Sequence, residues 1–220
     1  LNLNRIFLFC LAAIGGLWLP SAWAHTVSVT LTSPDGKPLD HSAVFFEPLS
    51  FKAKAVSKDL PAVVIAQKRQ MFLPAVTVLQ AGTRVEFPNL DTVRHHVYSF
   101  SEAKTFDIKL YLGRAPSSEL FDRSGVVALG CNIHDTMIAW IVVVDTPYFA
   151  LTDKAGSVTL DLPAGDYHLK VWDRRQLDAP NDGQRITVAG DQTFAVSTEV
   201  LDFDPYADVT GQSVEDMQAP

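Results

Sequence analysis

The sequence predicts an all-β protein, and three observations carry that reading. Apolar and β-branched residues come in short runs with period-two alternation, as in Thr26-Val27-Ser28-Val29-Thr30-Leu31-Thr32. Gly, Pro, Asn and Asp separate these runs about every 8–12 residues, the rhythm of a β-sandwich or barrel. No window sustains for long the i, i+3, i+4, i+7 apolar spacing of an amphipathic helix.

The first 24 residues stand apart. Arg5 is their only charge, an apolar run covers 6–19, Pro20 follows, and Ala22-Trp23-Ala24 is the small-x-small pattern that signal peptidase cleaves. The run is shorter than the roughly 20 residues a spanning helix needs. Cys10 lies inside it, not at its end as lipid attachment requires. Residues 1–24 are therefore expected to be a signal peptide for export to the periplasm, with no membrane span after cleavage. Cys131 is then the one cysteine left.

Strands are expected at 26–32 and 43–47, with a turn at Ser33-Pro34-Asp35-Gly36 and a lysine-bearing linker at 51–59. A middle block follows at 62–66, 76–79, 84–87, 95–100, 106–111, 119–122, 126–129 and 138–145. The last block is 149–152, 157–161, 166–172, 185–188 and 193–200. Its turns fall at Asp153-Lys154-Ala155-Gly156, Pro163-Ala164-Gly165 and Asn181-Asp182-Gly183. Residues 201–220 hold five acidic residues and no basic one, which reads as a solvated, mobile tail.

Composition narrows the function. The chain has 220 residues, room for one large domain or two small ones. With 47% hydrophobic and 20% charged residues, most of it is expected to fold. A net charge of −7 argues against nucleic-acid or anionic-membrane partners. There is no Gly-x-Ser-x-Gly, His-Glu-x-x-His or phosphate-cradling glycine loop, and no paired carboxylates stand out from surface charge.

The chemistry-bearing residues are few. Cys131-Asn132-Ile133-His134-Asp135-Thr136-Met137 sets a thiolate, an imidazole and a thioether within one short loop. Upstream, Arg94-His95-His96-Val97-Tyr98 offers another imidazole on a strand-like segment. Two histidines and a thiolate with a weak axial methionine form the trigonal set that favours copper. An odd thiol in an oxidising compartment is a liability unless it is buried, paired between chains or bound to metal. Alternation puts His95 and His96 on opposite faces, so one of the two is expected to bind.

These motifs resemble the cupredoxins, the family of plastocyanin, amicyanin and pseudoazurin. Phe87-Pro88-Asn89, His95-His96-Val97 and Cys131-x-x-His134-x-x-Met137 carry the resemblance. It implies a cupredoxin Greek-key β-sandwich holding one copper, with His95, Cys131 and His134 as ligands and Met137 axial. It favours His95 over His96, because its spacing from Phe87 matches the family. His96 stands where many members have an asparagine that ties two loops, and is expected to orient the cysteine loop by a hydrogen bond. Asn89 is expected beside it as a supporting residue. More narrowly, 67–147 is similar to periplasmic plastocyanin-like proteins labelled methylamine utilisation proteins, although no residue points to an amine.

A second resemblance flanks the first. Residues 27–47, with Asp35-Gly36-Lys37-Pro38-Leu39, look like the start of a carboxypeptidase-regulatory-like, transthyretin-like sandwich. Its usual continuation appears only after the copper region, at Thr152-Asp153-Lys154-Ala155-Gly156 and Leu162-Pro163-Ala164-Gly165-Asp166-Tyr167. The expected organisation is a cupredoxin at 58–146 inserted into a sandwich made of 25–57 and 147–200. One enlarged sandwich with shared sheets is the alternative.

The implied function is one-electron transport by a type 1 (blue) copper protein, not an enzyme, with a c-type cytochrome or a dehydrogenase as redox partner. The rivals are a periplasmic copper carrier or sensor, and a structural module with a vestigial or zinc site. His25, His41 and His168 read as incidental, and Trp140 and Trp172 as core. Met71 and Phe72 belong either to an apolar patch around the copper or to the core. Asp135 shapes the loop or meets a partner.

Overall fold

The computed structural model describes residues 24–56, 61–176 and 183–203. Residues 1–23 of the segment expected to be a signal peptide, the tip of the linker, the Asn181-Asp182 half of one turn and most of the acidic tail lie outside the described residues. Within them the chain is all-β. It begins with Ala24–Thr32 (β1) and Ala43–Pro48 (β2). The middle stretch holds Val63–Val64 (β3), Ala66–Lys68 (β4), Met71–Leu73 (β5), Val76–Gln80 (β6) and Thr83–Glu86 (β7). It continues with His95–Ser101 (β8), Lys104–Tyr111 (β9), Glu119–Phe121 (β10), Gly125–Gly130 (β11) and Ile138–Val144 (β12). The last stretch is Phe149–Leu151 (β13), Ser157–Pro163 (β14), Gly165–Trp172 (β15), Gln184–Val188 (β16) and Gln192–Ser197 (β17).

Alternation decides which residues build each core. In β11 and its extension, Val127, Leu129 and Cys131 point inward; in β8 Val97 does the same. These side chains lie on the five-stranded sheet β6-β12-β11-β8-β9. Val85, Phe121, Phe72 and Ile65 meet them from the sheet β10-β7-β3 and the hairpin β4-β5 side. Burial of this apolar surface stabilises the body by about 25 cal/mol per Å².

β12 reads Ile-Ala-Trp-Ile-Val-Val-Val without alternation because both its faces are covered. Ala139, Ile141 and Val143 enter the first core. Trp140, Val142 and Val144 point the other way, against Ala43, Phe45 and Trp172. β2 is likewise two-sided, since its Val44 and Phe46 enter a further core with Val27, Val29, Leu31, Tyr167 and Ile186. That core lies between the sheets β13-β2-β15-β16 and β14-β1-β17. The result is a stack of sheets separated by three cores. No described strand before β3 or after β12 pairs with a strand of the middle stretch; the two groups meet through side chains.

The structure differs from expectation at 62–73. The single strand read at 62–66 is two short strands, and the hairpin partner β5 was not expected. Gln67 and Lys68 broke the apolar pattern there. Yet Gln67 is fully buried, and its Nε2–H donates to the Phe87 carbonyl at 3.0 Å and to the Tyr111 hydroxyl. Its Oε1 is buried without a partner, so the two bonds from Nε2 offset only part of the cost of burying the amide. Phe72 belongs to the core, and Met71 is half-buried.

Candidate metal centre

Two elements bring the candidate ligands together. β11 ends at Gly130 and delivers Cys131 on the inward side, 3% exposed. The loop after it turns tightly, with the Met137 N–H donating to the His134 carbonyl at 2.9 Å. Beside it, β8 opens with His95, fully buried. The β8–β9 register shifts between His95 and Val97, a local irregularity at the strand end that carries this candidate ligand.

His95, Cys131 and His134 each offer a ligand atom within 4.8 Å of the others. Cys131 Sγ and His134 Nδ1 are 3.9 Å apart. The two imidazole rings lie 4.9 Å apart, inclined at 62°. Met137 is fully buried in the same core as Cys131. His134 is half-buried at the edge of the cluster.

The histidine ring nitrogens explain how the cluster is poised. His95 Nε2 lies 2.7 Å from Asp91 Oδ2, while its Nδ1 is buried without a hydrogen-bond partner. A buried polar atom left unpartnered in a protein interior marks a place for a missing bond. His96 Nδ1 is also buried without a partner, but of the two rings only that of His95 clusters with a thiol and a second imidazole. The donor set, two imidazoles and a thiolate with a buried thioether nearby, suits copper by softness and number.

Asp91 is the residue that sequence reasoning missed. Burial pushes its carboxyl up, but the N–H groups of Gln70 and Arg69 and the His95 ring outweigh that and hold it below the usual carboxylate value. The i, i+4 spacing of Asp91 and His95 was the available signal, but on a loop that spacing has no fixed geometry. Asn89 ties this loop down. Its Nδ2–H donates to the carbonyls of Val93 and Tyr111, each at 2.9 Å, and its Oδ1 accepts the Asp91 N–H at 2.9 Å.

His96 requires a correction. It was expected to orient the cysteine loop, but its Nε2 pairs with Asp107 on β9 and its ring tilts over Tyr98. The strand pleat sends it to the opposite face from His95. The Lys109 ammonium and then the His96 ring hold the Asp107 carboxyl low. On that face the Tyr98 ring covers Gly130, the last residue of β11 before Cys131, so closely that a Cβ there would lie 2.7 Å from it.

The other candidates lie elsewhere. His41 pairs with Asp40 at 3.0 Å, and His25 Nδ1 is 4.0 Å from Asp191. Trp140 and Trp172 pack with ring centroids 6.4 Å apart between the two groups of sheets. Asp135 is exposed on the loop. Leu90, Val93, Leu112 and Ile133 are also exposed, on the segments that carry or flank the cluster.

No family model matches this sequence, and no curated protein does either. Similar solved structures do exist. One is a copper-containing nitrite reductase from Thermus scotoductus SA-01, 24% identical at a TM-score of 0.37, over 44% of this chain and 25% of that one. A reduced Cu(I) form of an amicyanin variant is 18% identical at 0.36, over 46% of this chain and 98% of its own. Amicyanin from Paracoccus versutus is 21% identical at 0.35, over 45% and 97%.

Proposed function

We propose that the chain is an exported cupredoxin that binds one copper and carries single electrons. The observation that carries this reading is the unpartnered, buried Nδ1 of His95 on a ring that clusters with Cys131 and His134. In this reading His95, Cys131 and His134 would hold the metal, with the buried Met137 thioether as a further donor. Copper bound there would supply a one-electron couple between Cu(I) and Cu(II).

The protein's share is to hold the donors still. Cys131 and His95 are fixed by burial and by strand geometry, so little has to move between oxidation states. The half-buried His134 is the ligand nearest solvent, and the exposed Leu90, Val93, Leu112 and Ile133 give that end an apolar surface for docking. We assign the partner to redox proteins, such as a c-type cytochrome or a dehydrogenase, and the location to the periplasm, reached through residues 1–24. In the same reading, 58–146 is a domain inserted into a sandwich made of 25–57 and 147–200, with an acidic tail at 201–220.

The test is the visible and EPR spectrum after one equivalent of Cu(II). An intense thiolate-to-copper band, lost in Cys131→Ser with the fold retained, is the expected result. A colourless complex, or a spectrum indifferent to Cys131→Ser, overturns the reading. An intense band with no reversible one-electron couple, but with ready copper transfer to an acceptor, makes the protein a copper carrier instead.

A further inference from the structure

β4 and β5 are joined by two residues, Arg69 and Gln70, with φ of 55° and 58°. Positive φ at both central positions is what a tight two-residue hairpin turn demands, and glycine or asparagine is the usual way to meet it. Arg69 and Gln70 have neither the missing Cβ nor a side chain suited to that region. Something outside the hairpin must hold them there.

That something is Asp91. Its Oδ1 accepts the Arg69 N–H at 2.6 Å, its Oδ2 accepts the Gln70 N–H at 2.9 Å, and Oδ2 also lies 2.7 Å from His95 Nε2. An ionised carboxylate is acceptor-only with room for several donors, so it can serve the turn and the ring at once. The same fact constrains His95. A neutral imidazole facing an acceptor-only group must carry its proton on the nitrogen that faces it. The proton sits on Nε2, and the lone pair is left on Nδ1, the buried atom without a partner.

We propose that Asp91 is a positioning residue with two clients: it pins the Arg69–Gln70 turn and, through His95 Nε2, sets the tautomer and direction in which His95 meets a metal. Carboxylates placed behind metal-binding histidines act in this way, and losing one typically costs about 10–100-fold in metal affinity. The hairpin and the ligand strand are thereby linked through one side chain. This inference deepens the copper-site reading and rests on it for the metal, but the tautomer can be read without any metal.

The first measurement is a long-range ¹H–¹⁵N correlation spectrum of the metal-free protein. A single Nε2–H tautomer for His95 is expected, and an Nδ1–H tautomer overturns the proposal with no variant needed. The second uses the Arg69→Gly/Gln70→Gly variant, whose glycines accept positive φ without help. It should keep the tautomer and its Cu(II) affinity. Adding Asp91→Ala to that background should leave the fold intact, mix the His95 tautomers and weaken Cu(II) binding about 10–100-fold. Unchanged tautomer or affinity in the triple variant, or loss of the tautomer in the glycine variant alone, overturns the assignment to Asp91. A wild-type protein that takes up no Cu(II) overturns the copper reading while leaving the tautomer result standing.

Discussion

The two faces of β8 carry neighbouring histidines that meet opposite fates. On the inner face His95 is fully buried, backed by Asp91, with its other nitrogen unpartnered on a ring beside Cys131 and His134. On the outer face His96 also backs onto an aspartate, Asp107, and also has its Nδ1 buried without a partner, but that carboxylate is shared with the exposed Lys109 and His96 is not in the cluster with the thiol. Beyond it Tyr98 and Phe100 continue an aromatic ladder, with ring centroids 5.3 and 5.2 Å apart, out to a Phe100 that is 78% exposed. The residue type and its carboxylate partner are the same on both faces. Convergence with other donors in a water-poor core is what turns one of them into a candidate ligand.

The comparison breaks most sharply under substitution of the two histidines. His95→Gln is expected to lower Cu(II) affinity by roughly 100-fold or more, beyond what loss of a supporting group costs. His96→Gln should leave it unchanged. Equal effects in a Cu(II) titration would erase the distinction between the faces.

Alkaline pH probes the inner side. Burial pushes the Tyr111 hydroxyl up to about 12 from 10.0, with the Gln67 hydrogen bond opposing. A group whose value is raised on folding contributes fully below its unfolded value and loses that contribution as pH rises. Stability should therefore fall between pH 10 and about 12, by up to about 3 kcal/mol from this residue. Burial raises Tyr167 in the outermost core as well, so Tyr111→Phe should remove only part of the loss. Denaturant melts across that pH range read the difference.

Packing gives the next contrast. Val97→Ala removes two methyl-sized groups from a fully buried position and should cost about 2 kcal/mol. Phe100→Ser, three residues along on the solvent side, should stay within about 0.5 kcal/mol. Between these two stands Gly130→Ala, whose Cβ would press on the Tyr98 ring. Tyr98 is half-buried and can shift, so we expect about 1 kcal/mol, relieved in a Gly130→Ala/Tyr98→Ser double variant. Failure of that relief would show that the clash lies in the backbone.

Much of this was legible beforehand for a physical reason. Period-two alternation is a local property, so β1, β8, β11 and β15 could be read from residue order alone. The short spacing from Cys131 to Met137 likewise confines those donors to one loop. The β4–β5 hairpin was not legible, because Gln67 is polar and the bonds its Nε2 makes while buried reach the distant Phe87 and Tyr111. Nor was Asp91, whose role depends on a turn some twenty residues earlier in the chain.

By itself the sequence determined the strand-forming pattern and the inventory of donors: one cysteine in the described chain, and two adjacent histidines that a pleated strand must separate. Tertiary structure decided which histidine faces the thiol, which carboxylate stands behind it, and that β2 and β12 are covered on both sides. Those outcomes depend on contacts between segments far apart in the chain. Local propensity carries no record of them; packing selects them only once the sheets have stacked.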